Sequence, residues 1–266
     1  MCIFLSIVII NYNNRVGLLR TIDSLKSDAD GLESCRVEYI FVDGGSSDGS
    51  VCVIENQREY HSNVKACIGE DSGIYDAFNV GLKASSGEFV GFINSGDVLS
   101  EKSVIYEIIS VIRQNKEICG IYGNGTICSK YSFLRRKRRP GDYATWKVML
   151  GWMPPHPLFC IRKTAFERFG NFDTSLGIAA DYDLFLRLFY VHRLPTKYID
   201  RNFVDMEKVS TSGGSLLNII KSNFEVLMSW KKHTSRLPVW IIFTKPISKL
   251  IEYRFNFTNR KIHKRL

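Results

Sequence analysis

Several patterns that would place this 266-residue chain in a common class of protein are absent from its sequence. No apolar run reaches the roughly 20 residues that a membrane-spanning helix needs, so we expect no transmembrane segment. The seven cysteines are scattered and include no Cys-x-x-Cys pair, which disfavours a disulfide framework or a zinc site and favours a reduced, cytoplasmic protein. Residues 1–10 are apolar but lack the leader and cleavage site of a signal peptide, and we interpret them as a buried strand.

Two common nucleotide-binding motifs, G-x-G-x-x-G and G-x-x-x-x-G-K-[ST], are also missing. The sequence does contain two acidic, glycine-rich turns after apolar runs, at 41–50 (FVDGGSSDGS) and 92–97 (FINSGD). Ligands of open α/β sheets bind at the carboxyl ends of the strands, where Asp43 and Asp97 would lie. A carboxylate there can hold a divalent cation that carries a diphosphate, or bond a base or ribose. The alternative is that both residues are ordinary turn formers.

The net charge of +9 is concentrated in two segments. Residues 129–139 contain six basic residues and no acid, residues 236–266 contain eight basic residues and one acid, and the remainder is mildly acidic. This distribution disfavours nucleic acid as a partner. The basic tail could lie on an anionic membrane surface, or pack on the body as an ordinary amphipathic helix. We interpret 135–139 (RRKRR) as a loop, either contacting diphosphate or lipid phosphates or simply solvated.

Strand-like and helix-like segments alternate over the first 130 residues, which predicts an α/β fold with a mostly parallel central sheet flanked by helices. The predicted strands of this region lie at 3–10, 37–42, 64–68, 88–93 and 120–128, and the clearest helices at 15–27, 74–84 and 100–114. Beyond residue 130 the pattern loosens. The main predicted elements there are a helix at 181–190, short strands at 194–199 and 203–206, and a helix at 215–232.

Four blocks in this order resemble the family 2 inverting glycosyltransferases, and most closely the branch that builds bacterial capsular, exopolysaccharide or O-antigen repeats. They are SIVIINYNN (6–14), FVDGGSSDGS (41–50), EDSGIYDAFNVGLKASSGEFVGFINSGD (70–97) and AADYDLFLRL (179–188). The resemblance covers roughly residues 3–215 and implies a Rossmann-like GT-A fold. Its nucleotide-sugar half would be 1–128 and its acceptor half 129–215, with a basic helical extension at 216–266.

The resemblance also implies which residues contact the nucleoside. Asp43 corresponds to the family's aspartate that contacts the uracil or other base. The turn formed by Asn11, Tyr12 and Asn13 would lie against the nucleoside.

The family's Asp-x-Asp metal motif reads NSGD at 94–97, so only Asp97 remains to hold Mg²⁺ or Mn²⁺ on the diphosphate, with Ser95 and Gly96 beside it. A single carboxylate can still do so, because Mg²⁺ normally keeps several waters. Asp71 and Asp76 lie in the block that the family places near the donor. They would bond ribose or sugar hydroxyls, or be helix-start acids with no ligand.

The family's catalytic base is the aspartate of a Glu-Asp pair that opens a helix, and Ala180-Asp181 matches that pair with alanine in place of glutamate. Asp181 would take the proton of an acceptor hydroxyl as it attacks the anomeric carbon, through an oxocarbenium-like transition state. Asp183 points about 200° away around the helix and is not expected to face the same atom. The alternative for Asp181 is an acid at a helix start that only complements the helix dipole.

Two further segments are less specific. His156, in a proline-rich stretch, would contact diphosphate or acceptor, or be a structural histidine. Residues 211–215 (TSGGS) would close over the donor or form a plain loop.

The expected enzyme is a metal-dependent transferase that moves a monosaccharide from a UDP- or GDP-sugar to a glycan acceptor on polyprenyl diphosphate. It would act in the cytoplasm, peripherally on the inner face of the membrane. The alternative is a catalytically lapsed nucleotide-sugar-binding module, because one acid of each family motif is missing.

Overall fold

The computed structural model describes residues 4–29, 37–128, 135–207, 216–235, 237–242 and 244. Nine strands lie within them, in chain order β1 (Leu5–Asn11), β2 (Val37–Asp43), β3 (Val64–Ile68), β4 (Phe89–Asn94), β5 (Val98–Leu99), β6 (Gly120–Cys128), β7 (Arg135–Arg138), β8 (Cys160–Arg162) and β9 (Thr196–Glu207). They form one sheet in the order β3-β2-β1-β4-β8-β6-β9-β5, and β7 pairs with β6.

The part of the sheet that contains both acidic turns, formed by β1 to β4, is parallel. β1 pairs with β2 on one side and β4 on the other, and β3 joins β2, all in parallel. All seven residues of β1 are buried, as expected for an apolar strand that is covered on both faces. Because these strands run in the same direction, the turns after β1, β2 and β4 lie at one edge of the sheet.

The helices cover both faces of the sheet, as the alternating pattern predicts. They are α1 (Arg15–Ala29), α2 (Ser50–Tyr60), α3 (Ile74–Ala84), α4 (Val104–Gln114), α5 (Thr145–Met149), α6 (Lys163–Phe169), α7 (Ala180–Phe185), which continues as a π-helix over Leu186–Val191, and α8 (Leu216–His233). Leu5, Ile7 and Ile9 of β1 pack with α1 and α4, whereas Val8 and Ile10 pack with α3, α6 and α7. This alternation follows from the two-residue period of a strand.

The second half of the sheet differs from the expectation in two places. The short strands predicted at 194–199 and 203–206 are one strand, β9, which keeps its pairing with β6 through irregularities next to Asn124. The interpretation of 135–139 as a loop was wrong, because Arg135–Arg138 forms β7, antiparallel to the end of β6. A run of like charges gives no period-two apolar signal, although the edge of a sheet tolerates it.

The helix α8 packs against the segment that carries Asp181. Trp230 is buried with Tyr182 and Val148, and its indole N–H donates to the Tyr182 hydroxyl over 3.0 Å. The remainder of the basic tail, from 245 to 266, and the segment at 211–215 lie outside the described residues. Among the described helices, none combines the length and the apolar character that crossing a bilayer requires.

Candidate functional site

Asp43 ends β2 and lies beside Asn11, its register partner at the end of β1. The Asn11 side-chain amide donates to Asp43 Oδ2 over 2.7 Å, and the Ser46 hydroxyl donates to the same oxygen over 2.9 Å. Asp43 Oδ1 accepts the backbone N–H groups of Gly45 and Ser46 at 3.1 and 2.7 Å. Asp43 is only 1% exposed, and its carboxylate holds the backbone of the turn through these hydrogen bonds. Its expected contact with a base stays a prediction.

The side chains of Asp71 and Tyr12 lie close above the bare backbone of Gly44 in this turn. A Cβ atom placed on Gly44 would lie 2.6 Å from Asp71 Oδ2 and 3.3 Å from Tyr12 Cδ2. Tyr12 is 67% exposed, so its ring is accessible beside Gly44. An aromatic ring and a carboxylate that flank a bare backbone can stack on a base and bond a ribose hydroxyl. Tyr12 and Asp71, two residues that the sequence analysis places near the nucleoside or its sugar, thus lie together at Gly44.

Asn13 and Asp76 have structural partners. The Asn13 side-chain oxygen accepts the backbone N–H of Ser47 over 2.9 Å, which ties the turn after β1 to the turn after β2. Asp76 accepts the backbone N–H of Ser72 over 3.0 Å, and it lines a separate groove that includes Lys83 and Lys163. Asp76 thus has a backbone partner at the helix start, and its expected role at the donor stays a prediction.

The NSGD turn at 94–97 is held by α1 and by Asn14, the residue directly before that helix. The Asn14 amide donates to the Ser95 carbonyl over 2.9 Å, and the backbone N–H of Gly96 donates to the Thr21 hydroxyl over 3.0 Å. Gly96 has φ +101°, and a Cβ there would lie 2.2 Å from a carboxylate oxygen of Glu207. Only glycine therefore fits at this position, which fixes the path of the backbone to Asp97.

Asp97 and Asn94 are the described residues best placed to hold a metal ion. Asp97 is 3% exposed and accepts the Asn94 amide over 3.0 Å and the backbone N–H of Glu207 over 2.9 Å, and burial raises the pKa of its carboxyl to about 7. The other side-chain atom of Asn94, Oδ1, is a buried oxygen without a hydrogen-bond partner. No group of three His, Cys, Asp or Glu side chains suited to a metal occurs in the described ranges. The site therefore fits a cation that takes most of its ligands from diphosphate and water.

A cavity of about 670 Å³ extends from this turn to the start of α7. Asn94, Tyr75, His156 and Asp181 all line it. The Tyr75 hydroxyl donates to the Ile178 carbonyl over 2.8 Å and lies 3.5 Å from Asp181 Oδ1. Burial and the neighbouring Asp181 carboxylate raise the pKa of Tyr75, so this hydroxyl stays protonated and can donate. Asp181 thus faces the cavity that also reaches Asn94 of the 94–97 turn.

Glu225 of α8 fixes the start of the helix that carries Asp181. Its carboxylate, in a residue that is 6% exposed, accepts the backbone N–H groups of Gly177, Ile178 and Ala179 at 3.2, 2.8 and 2.9 Å. Sequence reasoning did not identify Glu225 or Tyr75, because each acts on a segment that is remote along the chain.

Asp183 has a structural position, as the helical spacing predicts. It accepts Arg187 Nε over 2.9 Å and contacts His233 Nε2 over 2.8 Å inside the protein. Burial alone would raise the pKa of Asp183, but the hydrogen bond from His233 and the charge of Arg187 hold it below its usual range. The side chain of Asp181 therefore lines the cavity, whereas that of Asp183 is buried in the protein interior.

His156 lines the cavity but is a poor cation. Its ring centroid lies 4.8 Å from that of Phe78 and 5.6 Å from that of Phe172. Burial lowers the pKa of His156 to about 4, against the opposing effect of Asp181, so the ring is neutral at pH 7. It can make a hydrogen bond to a ligand, but it brings no positive charge to a diphosphate.

Comparisons with known proteins show which family the chain belongs to. The family model described as Glycosyl transferase family 2 matches residues 6–170. An uncharacterized glycosyltransferase of Mycobacterium tuberculosis is 27% identical over 183 residues, which are 68% of this chain and 67% of that protein. A PGL/p-HBAD biosynthesis glycosyltransferase of Mycobacterium bovis is 24% identical over 254 residues and covers 88% of this chain and 93% of its own length.

Solved structures share the fold. The structure of S. aureus TarS 1-349 in complex with UDP-GlcNAc superposes with a TM-score of 0.70 at 16% identity, over 90% of this chain and 70% of that one. The mannosyltransferase PcManGT from Pyrobaculum calidifontis, in complex with GDP-Man and Mn²⁺, gives a TM-score of 0.63 at 14% identity, over 92% of this chain and 69% of that one. The expected GT-A fold is confirmed. The chain therefore belongs to glycosyl transferase family 2 and is a glycosyltransferase.

Proposed function

We propose that this enzyme transfers a monosaccharide from a nucleoside-diphosphate sugar to a hydroxyl group of a glycan acceptor by a single inverting displacement. The observation that carries the proposal is the shared cavity, which Asn94 of the donor turn and Asp181 of the acceptor half both line. A carboxylate at that position can meet an incoming hydroxyl on the side of the sugar opposite the leaving diphosphate.

In the proposed step, the acceptor oxygen forms a bond to the anomeric carbon while the bond from that carbon to the diphosphate oxygen breaks. The acceptor proton passes to the Asp181 carboxylate, and the bonding electrons leave with the nucleoside diphosphate. Tyr75 keeps the loop before Asp181 in place through the Ile178 carbonyl. The oxocarbenium-like transition state follows from the analogous cleavage of glycosidic bonds.

Asp97 and Asn94 would hold Mg²⁺ or Mn²⁺. Such a cation, when bound, neutralises the negative charge that develops on the leaving diphosphate. The exposed ring of Tyr12 and the carboxylate of Asp71, which lie together at Gly44, support a nucleoside position beside them. UDP-GlcNAc and GDP-Man are bound in the two similar structures, and we extend a UDP- or GDP-linked donor to this chain.

We further propose a lipid-linked glycan acceptor, a role in cell-surface polysaccharide synthesis and a peripheral position on the cytoplasmic face of the membrane. An exposed apolar stripe on α8 supports membrane proximity, and it comprises Leu217, Ile220, Phe224 and Met228. Lys221, Lys231 and Lys232 flank this stripe and are exposed. Apolar and basic side chains in this arrangement are typical of helices that lie in a bilayer interface. On this proposal α8 belongs functionally with the acceptor half rather than with a separate extension.

The decisive experiment is turnover of UDP- and GDP-sugars by the Asp181→Asn variant. We expect the rate of nucleotide release with acceptor to fall by about 10²- to 10⁴-fold, the usual contribution of a general base. Glu59→Gln, on the exposed surface of α2, is the matched control and should keep wild-type turnover. Undiminished activity of Asp181→Asn would remove the base assignment. Donor binding without turnover across the whole panel would favour the lapsed binding module instead.

A further inference from the structure

The strand β7 presents its cations on two different surfaces. In the sequence RRKR, Arg136 and Arg138 are partly buried and line the cavity, whereas Arg135 and Lys137 are exposed. This is the alternation that a strand imposes on successive side chains. Pairing of Arg138 with Gly125 and of Arg136 with Ile127 fixes the register.

The chain after β7 adds to the inner surface and is itself anchored. Arg139 and Lys147 also line the cavity. The Trp152 indole donates to the Pro140 carbonyl over 2.9 Å, and the Tyr122 hydroxyl donates to the Gly141 carbonyl over 3.1 Å. We call Arg136, Arg138 and Arg139 the basic wall. The strand pairing holds the backbone of its first two members, and the two hydrogen bonds hold the chain directly after Arg139.

The charges around the cavity are unbalanced. Among the described residues that line it, Asp181 is the sole carboxylate, against the three arginines of the basic wall and Lys147. His156 does not add charge at neutral pH, because burial lowers its pKa to about 4. A concave site lined by charges of one sign concentrates ligands of the other sign. The guanidinium group bonds phosphate oxygens in a bidentate manner, so phosphate is the anion that arginines in a cluster favour.

The outer surface of the same strand carries Arg135 and Lys137, and Arg135 lies 3.9 Å from Asp205 of β9. The two faces of β7 therefore provide a comparison in which the strand and the number of charges are matched, while the inner pair lines the cavity and the outer pair does not.

We propose that the basic wall binds a phosphate or diphosphate group next to the reacting hydroxyl. This inference rests on the proposed function and deepens it, because it makes a glycosyl phosphate or glycosyl diphosphate the acceptor class. Diphosphate is also part of the donor, and the experiment must separate these two sources. A cavity of about 670 Å³ lies within the range of about 300–1,000 Å³ that small-ligand sites occupy.

The test measures binding of inorganic pyrophosphate by thermal shift and calorimetry, with EDTA present so that no divalent cation recruits it to Asp97. The inner variant is Arg136→Gln/Arg138→Gln, and the matched outer variant is Arg135→Gln/Lys137→Gln. We expect pyrophosphate to stabilise the wild type and the outer variant equally, since a ligand of the folded state raises stability by mass action. In the inner variant we expect its affinity to fall at least tenfold.

An equal loss of pyrophosphate affinity in the inner and outer variants, or no pyrophosphate binding by the wild type, would overturn the proposal. If the inner variant does not fold, Arg139→Gln provides the comparison, with the same expected direction.

A second arm adds saturating UDP. Pyrophosphate binding that persists with UDP bound supports a phosphate group of the acceptor, whereas pyrophosphate that UDP displaces assigns the wall to the donor and overturns the acceptor class. Neither arm needs turnover, so the result stands apart from the outcome for Asp181→Asn.

Discussion

The donor turn at Asp43 and the helix start at Asp181 hold their aspartates by different means. Three of the four hydrogen bonds to Asp43 come from residues two or three positions along the chain, and the fourth comes from the neighbouring strand. The segment before Asp181 is held by Tyr75 and Glu225, which are 103 and 46 to 48 residues away from their partners. The Asp43 turn is therefore encoded largely by its own residues, whereas the segment before Asp181 is held by distant parts of the chain.

The largest effect that sharpens this comparison should come from Asp183. The Asp183→Asn variant leaves Arg187 buried without its carboxylate, and breaking a buried ion pair in this way costs about 3–5 kcal/mol of the free energy of unfolding. Asp181→Asn, two residues earlier, should change stability by less than about 0.5 kcal/mol. Urea denaturation of the two variants measures the difference. Equal destabilisation would contradict the division between a cavity residue and a core residue.

Glu225→Gln tests the long-range support of Asp181. The substitution keeps the shape of the side chain but replaces one acceptor oxygen and removes the charge that three backbone N–H groups share. Because small displacements of a reacting group are costly, we expect kcat to fall by about 10-fold to 100-fold. The donor KM and the affinity for UDP should stay unchanged.

Glu59→Gln, the same substitution on the exposed surface of α2, is the control for Glu225→Gln and should retain both kinetic constants. A variant at Glu225 that lost UDP affinity in proportion to kcat would indicate a general structural defect instead of a positioning role.

Gly44→Ala tests the donor side alone. The new methyl group would meet Asp71 and Tyr12, and overpacking of this kind costs about 1–3 kcal/mol. We expect UDP to bind about tenfold more weakly, which corresponds to about 1.4 kcal/mol, while kcat at saturating donor changes little. Gly69→Ala is the matched control, since a Cβ there meets nothing within 4 Å. Unchanged UDP affinity in Gly44→Ala would exclude the surface formed by Tyr12, Gly44 and Asp71 as the nucleoside site.

The last prediction is a pH dependence of stability at Asp97. Burial raises the pKa of this carboxyl from 3.8 to about 7, so between these values the folded protein binds a proton that the unfolded chain has released. Stability of the protein in EDTA should therefore fall as the pH rises from 5 to 8. Asp97→Asn should lack this component, and parallel melting curves for the two proteins across that range would contradict the prediction.

Much of the fold follows from the sequence. Ile7 and Val8 lie in a continuous apolar run that a strand covered on both faces requires, and the structure places it at the centre of the parallel strands. The predicted helix at 74–84 agrees with α3. β7 was missed, because its stability comes from pairing with β6, and its four cations carry no apolar period.

The sequence alone determined the order of the main strands and helices from β1 to β6 and the acidic turns that follow β2 and β4, because apolar periodicity and Asp-Gly chemistry act over a few residues. Tertiary structure decided which acids face the cavity: Asp181 enters it, while Asp183 turns to Arg187 in the interior. It also decided that Glu225 supports the start of α7 and that two of the four cations of β7 face inward. These outcomes depend on contacts between segments far apart in the chain, and no local pattern records such contacts.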